Sequence, residues 1–511
     1  MGKTTIIGGS SDKTGGPQPS KSQRAAHGVE KIDVTAVNKP EHRELYQKRI
    51  PIYPKLAHGT YRKIKWAFLF ILLGIYYVVP FIRWDRGPGA PDQAVLADFA
   101  GRRFYFFFIE IWPQEVYYIT GLLMLAAFGL FMATSLFGRV WCGYACPQTI
   151  WTDLFIAVER MVEGDRNARI KLARKPLRGD KLVKKIIKHS AWLLISFLTG
   201  GVFVLYFLDA PTVVRGFFVG QAPISAYLFT AILTFTTYSL AGTMREQVCT
   251  YMCPWPRIQG ALTDEDSFEV TYRGYRGEPR GPHKKGDSWE GRGDCIDCKM
   301  CVAVCPMGID IRDGDQLECI NCALCIDACD DVMEKIGRPK GLIAYDTERN
   351  RKRLPKGEKP VYRLFRPRII LYTILVGGIA AIMLYGLMTR STLDLNTLRD
   401  RSPTFVRLSD GSVRNGYTLK ILNKATEPRD YRVSVSGIEG MTLKAVGLEG
   451  DGKSVLVHAD PDKVREVKIY LTVPADKVRT LKASTPISII VEEKSGKARA
   501  VNKTVFLSGK R

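Results

Sequence analysis

The segments "CIDCKMCVAVCP" (residues 295–306) and "CINCALCIDAC" (residues 319–329) each space four cysteines as C-x2-C-x2-C-x3-C. Three closely spaced thiolates can hold three corners of a cubane iron–sulfur cluster, and a more distant cysteine closes the fourth corner. A structural zinc site instead needs four thiolates, usually as two C-x2-C pairs. The doubled pattern therefore predicts two [4Fe-4S] clusters rather than zinc.

This spacing is typical of bacterial two-cluster ferredoxins, in which the fourth cysteine of each run binds the other cluster. Asp330 stands where a proline follows the first run, a departure that removes no ligand. Two adjacent clusters form an electron relay but do not by themselves specify a substrate. The predicted ligands are Cys295, Cys298, Cys301 and Cys329 for the first cluster, and Cys319, Cys322, Cys325 and Cys305 for the second.

The remaining four cysteines form two C-x3-C-P pairs, in "GRVWCGYACPQT" (138–149) and "REQVCTYMCPWP" (245–256). On a helix, this spacing puts both sulfurs on one face about one turn apart. Three roles stay open for the pairs: a third iron–sulfur cluster, a copper site, since thiolates prefer Cu(I), or a dithiol that cycles to a disulfide. The candidate catalytic and metal-binding residues are Cys142, Cys146, Cys249 and Cys253.

The composition limits the class of protein. All twelve cysteines lie in these motifs, which is unlike a disulfide scaffold and indicates reduced thiols in a reducing compartment. A net charge of +24 is compatible with nucleic-acid binding. The sequence has no RNP or zinc-finger signature, however, so no nucleic-acid partner is predicted. The Lys and Arg residues lie beside apolar stretches instead, as in membrane proteins.

Five apolar stretches are long enough to span a bilayer, which predicts a polytopic α-helical membrane protein. They cover residues 66–82, about 116–137, 191–208, 224–242 and 369–388. Residues 160–188 hold eleven Lys or Arg and residues 335–368 hold twelve, whereas residues 209–222 hold only Arg215. Because basic loops stay on the cytoplasmic side, the N-terminus and both cysteine regions are predicted to be cytoplasmic, and the C-terminus periplasmic.

The two ends of the chain differ in pattern. Residues 1–60 are polar and are predicted to be a largely disordered cytoplasmic segment. Residues 391–511 alternate apolar and polar residues in about seven short runs, which predicts an immunoglobulin-like β-sandwich. The expected domains are residues 1–60, a four-helix membrane region at 61–260, a ferredoxin-like insert at 261–365, a fifth membrane helix at 366–390, and the β domain at 391–511.

This combination of two C-x3-C-P pairs, a two-cluster ferredoxin insert and a C-terminal β domain resembles the CcoG family, also called FixG or RdxA. The resemblance runs from "IYPKLAHGTYRKIKW" (52–66) through the β domain. It implies a bacterial inner-membrane accessory protein of cbb-type cytochrome c oxidases. It also implies that Cu(II) is reduced to Cu(I) at Cys142, Cys146, Cys249 and Cys253, with electrons supplied through the eight ferredoxin cysteines.

The partners implied by the resemblance are oxidase subunits or assembly factors, together with an electron donor and the lipid bilayer. Two other functions stay open. The chain can be an electron-transfer subunit between a cytoplasmic donor or the quinone pool and a partner enzyme, although it has no C-x-x-C-H haem motif. It can also be an assembly scaffold with structural clusters, whose β domain docks oxidase subunits.

Overall fold

The structure, a computed structural model, describes residues 23–24, 29–38, 50–87, 90–284, 286–425, 427–461, 463–496 and 498–509. The chain divides into two compact units. One unit comprises residues 1–82 and 95–381, and the other comprises residues 83–94 and 382–511.

Part of the N-terminal segment packs against the ferredoxin loops. Strand β1 (Gln23–Arg24) pairs antiparallel with β2 (Glu30–Lys31), and Ile32, only 3% exposed, donates its N–H to the Cys298 carbonyl at 3.1 Å. Further along, the Lys55 N–H donates to the Ala303 carbonyl at 2.8 Å. Within residues 29–38 and 50–60, the apolar side chains of Val29, Ile32, Ile52 and Ala57 are buried, so these parts of the segment pack locally. Residues 1–22, 25–28 and 39–49 lie outside the described residues.

Among the described residues, five helices are long and apolar enough to cross a membrane, with mean hydropathy between 1.4 and 2.2. They confirm the prediction of a multi-pass α-helical protein, whereas its orientation stays a prediction. The five candidate spans are Thr60–Phe81, Pro113–Phe137, Asp180–Leu205, Ile224–Met244 and Pro367–Met388.

The membrane region also contains short helices that connect the spans and carry the first cysteine pair. Its helices are α1 (Thr60–Val78), α2 (Tyr117–Phe137), α3 (Val140–Tyr144), α4 (Pro147–Glu163), α5 (Arg166–Arg174), α6 (Asp180–Leu205), α7 (Ala210–Phe218) and α8 (Ile224–Thr237). Helix α8 continues into a π-helical turn at Tyr238–Met244, and a second π-helical turn covers Val248–Met252. Strands β3 (Val95–Asp98), β4 (Arg103–Phe106) and β5 (Ile109–Ile111) form a small sheet between α1 and α2.

The ferredoxin region contains a two-stranded sheet and several short helices around its cysteine loops. Strand β6 (Glu269–Tyr272) pairs antiparallel with β7 (Ile343–Asp346). The helices are α9 (Trp255–Leu262), α10 (Gly274–Gly277), α11 (Met300–Val304), α12 (Leu324–Lys335) and α13 (Glu348–Arg353), and α14 (Pro367–Met388) follows as the last candidate span. Buried apolar residues such as Val270, Val332 and Ile343 form one core with the cysteines.

The second unit contains the predicted immunoglobulin-like sandwich. One sheet has the order β12-β14-β10-β8 with β9 paired to β10, and the other has the order β13-β11-β15-β16. In β10, alternate residues such as Tyr417, Leu419 and Ile421 are fully buried, as expected for a period of two. The strands are β8 (Leu393–Arg399), β9 (Val406–Arg407), β10 (Val413–Asn423), β11 (Arg429–Ser436), β12 (Thr442–Ala445), β13 (Ser454–Ala459), β14 (Lys463–Val473), β15 (Ser484–Glu493) and β16 (Arg499–Leu507).

Candidate metal centres

The two C-x2-C-x2-C loops share one backbone conformation. The angle φ is positive at Asp297 (50°) and Lys299 (57°), and at the corresponding residues Asn321 (50°) and Ala323 (59°). Left-handed residues between ordinary ones turn backbone N–H groups toward one point, an arrangement that suits anions. In each loop one such N–H donates to a cysteine sulfur. Both loops are therefore shaped for an anionic centre.

Two small cavities, each of about 20 Å³, lie inside these loops. Cys295, Cys298, Cys301 and Cys329 line the first cavity. Cys305, Cys319, Cys322 and Cys325 line the second, together with Cys301. The structure thus groups the fourth cysteine of each run with the first three of the other run, and the shared Cys301 places the two cavities next to each other.

The donor set and the cavity walls fit iron–sulfur clusters. The pKa values of Cys305 and Cys319 are raised to about 12, chiefly by burial and also by the neighbouring Cys322. Thiols this buried need a compensating positive charge before they lose their protons. An iron–sulfur core supplies that charge, and the walls beside the sulfurs are apolar, with Ile311 and Leu324 among them.

The two C-x3-C-P pairs also share a local structure. The Cys146 N–H donates to the Trp141 carbonyl at 2.9 Å, and the Cys253 N–H donates to the Val248 carbonyl at 2.8 Å. Each second cysteine is extended, with ψ of 128° and 122°, and is followed by a proline as the next helix begins. The proline ends one helical turn and opens the next, so each pair lies at a break between two helices.

The four thiols of these pairs lie in the same region of the structure, where Cys142 and Cys249 pack in one cluster of side chains. The pKa of Cys142 is raised to about 12, chiefly by burial and also by the charges of Cys146, Cys249 and Cys253. Cys142 is buried, Cys146 and Cys249 are half-buried, and Cys253 is exposed. We call this group the four-thiol site. Among the described residues, no three His, Cys, Asp or Glu side chains lie close enough to hold a single metal ion.

A buried charge holds the second pair in place. Arg245, whose φ is 48°, precedes Cys249 and bonds the Glu159 carboxylate of α4 at 2.7 Å. Burial opposes the ionisation of Glu159, but Arg245 and Arg169 outweigh it and lower its pKa to about 2. The Glu159 carboxylate therefore stays ionised at neutral pH, and its bond with Arg245 fixes the turn that carries Cys249 to the helix after Cys146.

The four-thiol site lies directly against the loop of the second cavity. Gly143, between the first two cysteines of the site, approaches this loop so closely that an added Cβ would lie 2.6 Å from the Ile320 carbonyl oxygen. The Tyr144 hydroxyl donates to the Cys322 carbonyl at 3.2 Å. The buried Arg139 guanidinium donates to the Cys319 carbonyl at 3.2 Å. Three residues beside the first pair thus contact the loop that carries two second-cavity cysteines.

Family models match most of the chain. Residues 119–161 match a 4Fe-4S binding domain, residues 244–348 match a 4Fe-4S dicluster domain, and residues 383–509 match the IG-like fold at the C-terminal of FixG. The chain is 49% identical over 508 residues to the nitrogen fixation protein FixG of Rhizobium meliloti, covering 94% of this chain and 97% of that protein. The chain belongs to the FixG/CcoG family.

Other members and one solved structure are also similar. Protein RdxA of Cereibacter sphaeroides is 49% identical over 455 residues, which is 88% of this chain and 95% of that protein. A crystal structure of a FixG-related protein from Vibrio parahaemolyticus is 22% identical, covers 24% of this chain and 99% of that chain, and has a TM-score of 0.20. The dicluster match of this FixG-family chain includes the second C-x3-C-P pair, and the 4Fe-4S binding match includes the first.

Sequence reasoning missed the residues that join the FixG-family metal centres to the membrane helices. Asp327 lies between two cysteines of the second run, and its carboxylate accepts the N–H groups of Tyr61 (3.1 Å) and Arg62 (2.7 Å) at the start of α1. The roles of Arg139 and Gly143 could not be predicted from the sequence either, because the residues they contact are distant in the chain. The only signal was a glycine inside the first C-x3-C pair.

Proposed function

We propose that this FixG-family chain is a membrane-bound iron–sulfur oxidoreductase whose eight ferredoxin cysteines bind two [4Fe-4S] clusters in the crossed sets described above. The observation that carries the proposal is the grouping of four thiols around each of two cavities, with a backbone N–H that donates to a cysteine sulfur in each loop. When bound, each cluster carries one electron at a time.

If the two cavities hold clusters, the arrangement of this chain's residues would allow electrons to pass from the first cavity to the second and then to the four-thiol site. Cys301 borders both cavities, which supports the first transfer. The close approach of Gly143 to Cys322 supports the second, because no side chain separates the two backbones. Arg139 adds a buried positive charge on this path, where it favours an added electron.

We further propose that the ferredoxin-like insert and the N-terminus face the cytoplasm, while the β domain is periplasmic. The clustering of Lys and Arg in residues 160–188 and 335–368 supports this orientation. It keeps all twelve thiols on the reducing side. The domain limits proposed with it are 61–260, 261–365, 366–390 and 391–511.

The proposed reaction is reduction of Cu(II) to Cu(I) at the four-thiol site. Each copper ion gains one electron, which a reduced cluster loses. Thiolates bind Cu(I) better than Cu(II), so the site retains the product, and the exposed Cys253 gives the substrate access. In this proposal the Cu(I) is delivered to the copper centre of a cbb-type oxidase. Oxidase subunits or assembly factors are the proposed partners.

A second candidate is favoured by one comparison. The match of residues 119–161, which contain Cys142 and Cys146, to a 4Fe-4S binding domain supports a third cluster at the four-thiol site. The chain would then be an electron-transfer subunit that passes electrons to a partner enzyme rather than to copper.

Metal counts on the anaerobically purified protein separate the two candidates. Copper reduction predicts about eight irons per chain, four for each cluster, with added Cu(II) reduced by the dithionite-treated protein. About twelve irons would establish a third cluster and overturn the copper site. The double variant C249S/C253S should lose cupric reduction while it keeps the absorbance of the two clusters. Retained cupric reduction in that variant excludes the four-thiol site as the place of reaction.

A further inference from the structure

Gln259 is a fully buried amide that connects the two C-x3-C-P pairs. It lies on α9, which begins two residues after Cys253, and its side chain reaches back to the first pair. Its Oε1 lies 3.1 Å from the Cys142 sulfur, and its Nε2 lies 3.4 Å from the Thr134 hydroxyl of α2. No other side-chain amide among the described residues contacts a sulfur of the four-thiol site.

The state of the sulfur decides which end of this amide can face it. A protonated Cys142 donates to the amide oxygen, as the structure has it. A metal-bound Cys142 is a thiolate and only accepts, so the amide must then present its N–H groups. Half a turn of the amide achieves this, and the Thr134 hydroxyl can donate to the oxygen that the turn brings to it. Gln259 therefore suits both states of the sulfur without any backbone movement.

A second buried donor borders the same site. Trp255, which opens α9, packs against the cluster of side chains that contains Cys142 and Cys249. Its indole N–H is buried and has no hydrogen-bond partner among the described residues. Buried donors are nearly always satisfied, so an acceptor at the four-thiol site accounts for this N–H as well as for the amide of Gln259.

We propose that Gln259 is a positioning residue of the four-thiol site: its amide N–H donates to the Cys142 sulfur when that sulfur holds metal, and it raises the reduction potential of the bound centre. The reason is electrostatic, since an N–H directed at a ligand sulfur stabilises the more electron-rich, reduced state. The proposal rests on the proposed function only in requiring metal at this site, whether copper or an iron–sulfur cluster.

The test compares Q259M, which has similar length but no N–H, with Q259E, which only accepts hydrogen bonds when ionised. A redox titration of the four-thiol centre, followed by EPR, should give more negative midpoint potentials in the order wild type, Q259M, Q259E. Q316M is the matched control, because the Gln316 amide bonds the Asp310 and Gly314 carbonyls in the ferredoxin region, outside the two C-x3-C-P pairs. It should keep the wild-type potential.

A measurement on metal-free protein tests the same hydrogen bond without activity. In a C146S/C249S/C253S background, the infrared S–H stretch of Cys142 should lie at lower frequency with Gln259 than with Q259M. An unchanged stretch, an unchanged midpoint potential in Q259M, or an equal fall in Q316M would overturn the role of Gln259. A protein that binds no metal at the four thiols would instead refute the proposed function, while the S–H stretch would still report the hydrogen bond.

Discussion

Gly143 is the residue on which the junction between the four-thiol site and the ferredoxin loops depends most directly. In Gly143→Ala the new Cβ would lie 2.6 Å from the Ile320 oxygen and 3.1 Å from the Cα and N atoms of Cys322. Ordinary C···O contacts are about 3.3 Å, so the two segments must separate by about 0.7 Å. Overpacking of this kind lowers the free energy of unfolding by about 1–3 kcal/mol, and the higher helix propensity of alanine offsets up to about 1 kcal/mol of this loss.

We therefore expect the free energy of unfolding to fall by about 1–2 kcal/mol. We also expect slower electron transfer from the clusters to the four-thiol site. The assays are thermal unfolding in detergent and stopped-flow oxidation of dithionite-reduced clusters by Cu(II). Gly129→Ala is the matched control, because Gly129 lies in α2 with no atom within 4 Å of an added Cβ. Equal melting temperatures and equal oxidation rates for the two variants would refute the reasoning.

Three further substitutions test other parts of the fold. Gly200→Ala should destabilise the packing of α6 on α8, because the new Cβ would lie 2.8 Å from the Thr230 carbonyl oxygen. Gly201→Ala is the control and should not destabilise it, because its Cβ would meet only a methyl group at 4.0 Å. Equal melting temperatures for the two variants would contradict the prediction. Asp327→Ala should lower the free energy of unfolding by about 1–2 kcal/mol, because α1 loses the acceptor for its first N–H groups. Asp327→Asn should have a smaller effect. An alanine variant as stable as the wild type would exclude the cap. Cys305→Ser should alter the EPR signal of the cluster held by the second run of cysteines and leave the other unchanged; the reverse result would disprove the crossed ligand sets.

The sequence predicts most of what depends on local spacing. The five membrane helices follow from apolar stretches, the β-sandwich from alternation with a period of two, and the grouping of Cys305 and Cys329 with the opposite runs from the motif itself. These features need no knowledge of the tertiary structure, because each is determined by residues that are close in the chain or by a spacing with one known solution.

Features that depend on distant contacts were not predictable in this way. Lys299 and Ala323 have left-handed backbones although neither is glycine, because the loop around the cavity imposes that conformation. The packing of Val29 and Ile32 was missed because two buried apolar residues do not stand out in a polar segment. Gln259 looks like any polar residue of a short helix until its contact with Cys142 is known.

The cap that Asp327 provides for α1 has a consequence for biosynthesis. Helix α1 is the first of the five candidate spans along this chain. Asp327, whose carboxylate accepts its first N–H groups, lies 266 residues after Tyr61. The opening span therefore waits for its cap until the ferredoxin loops have been translated and folded. A chain truncated before residue 327 would therefore lack the carboxylate that accepts the Tyr61 and Arg62 N–H groups.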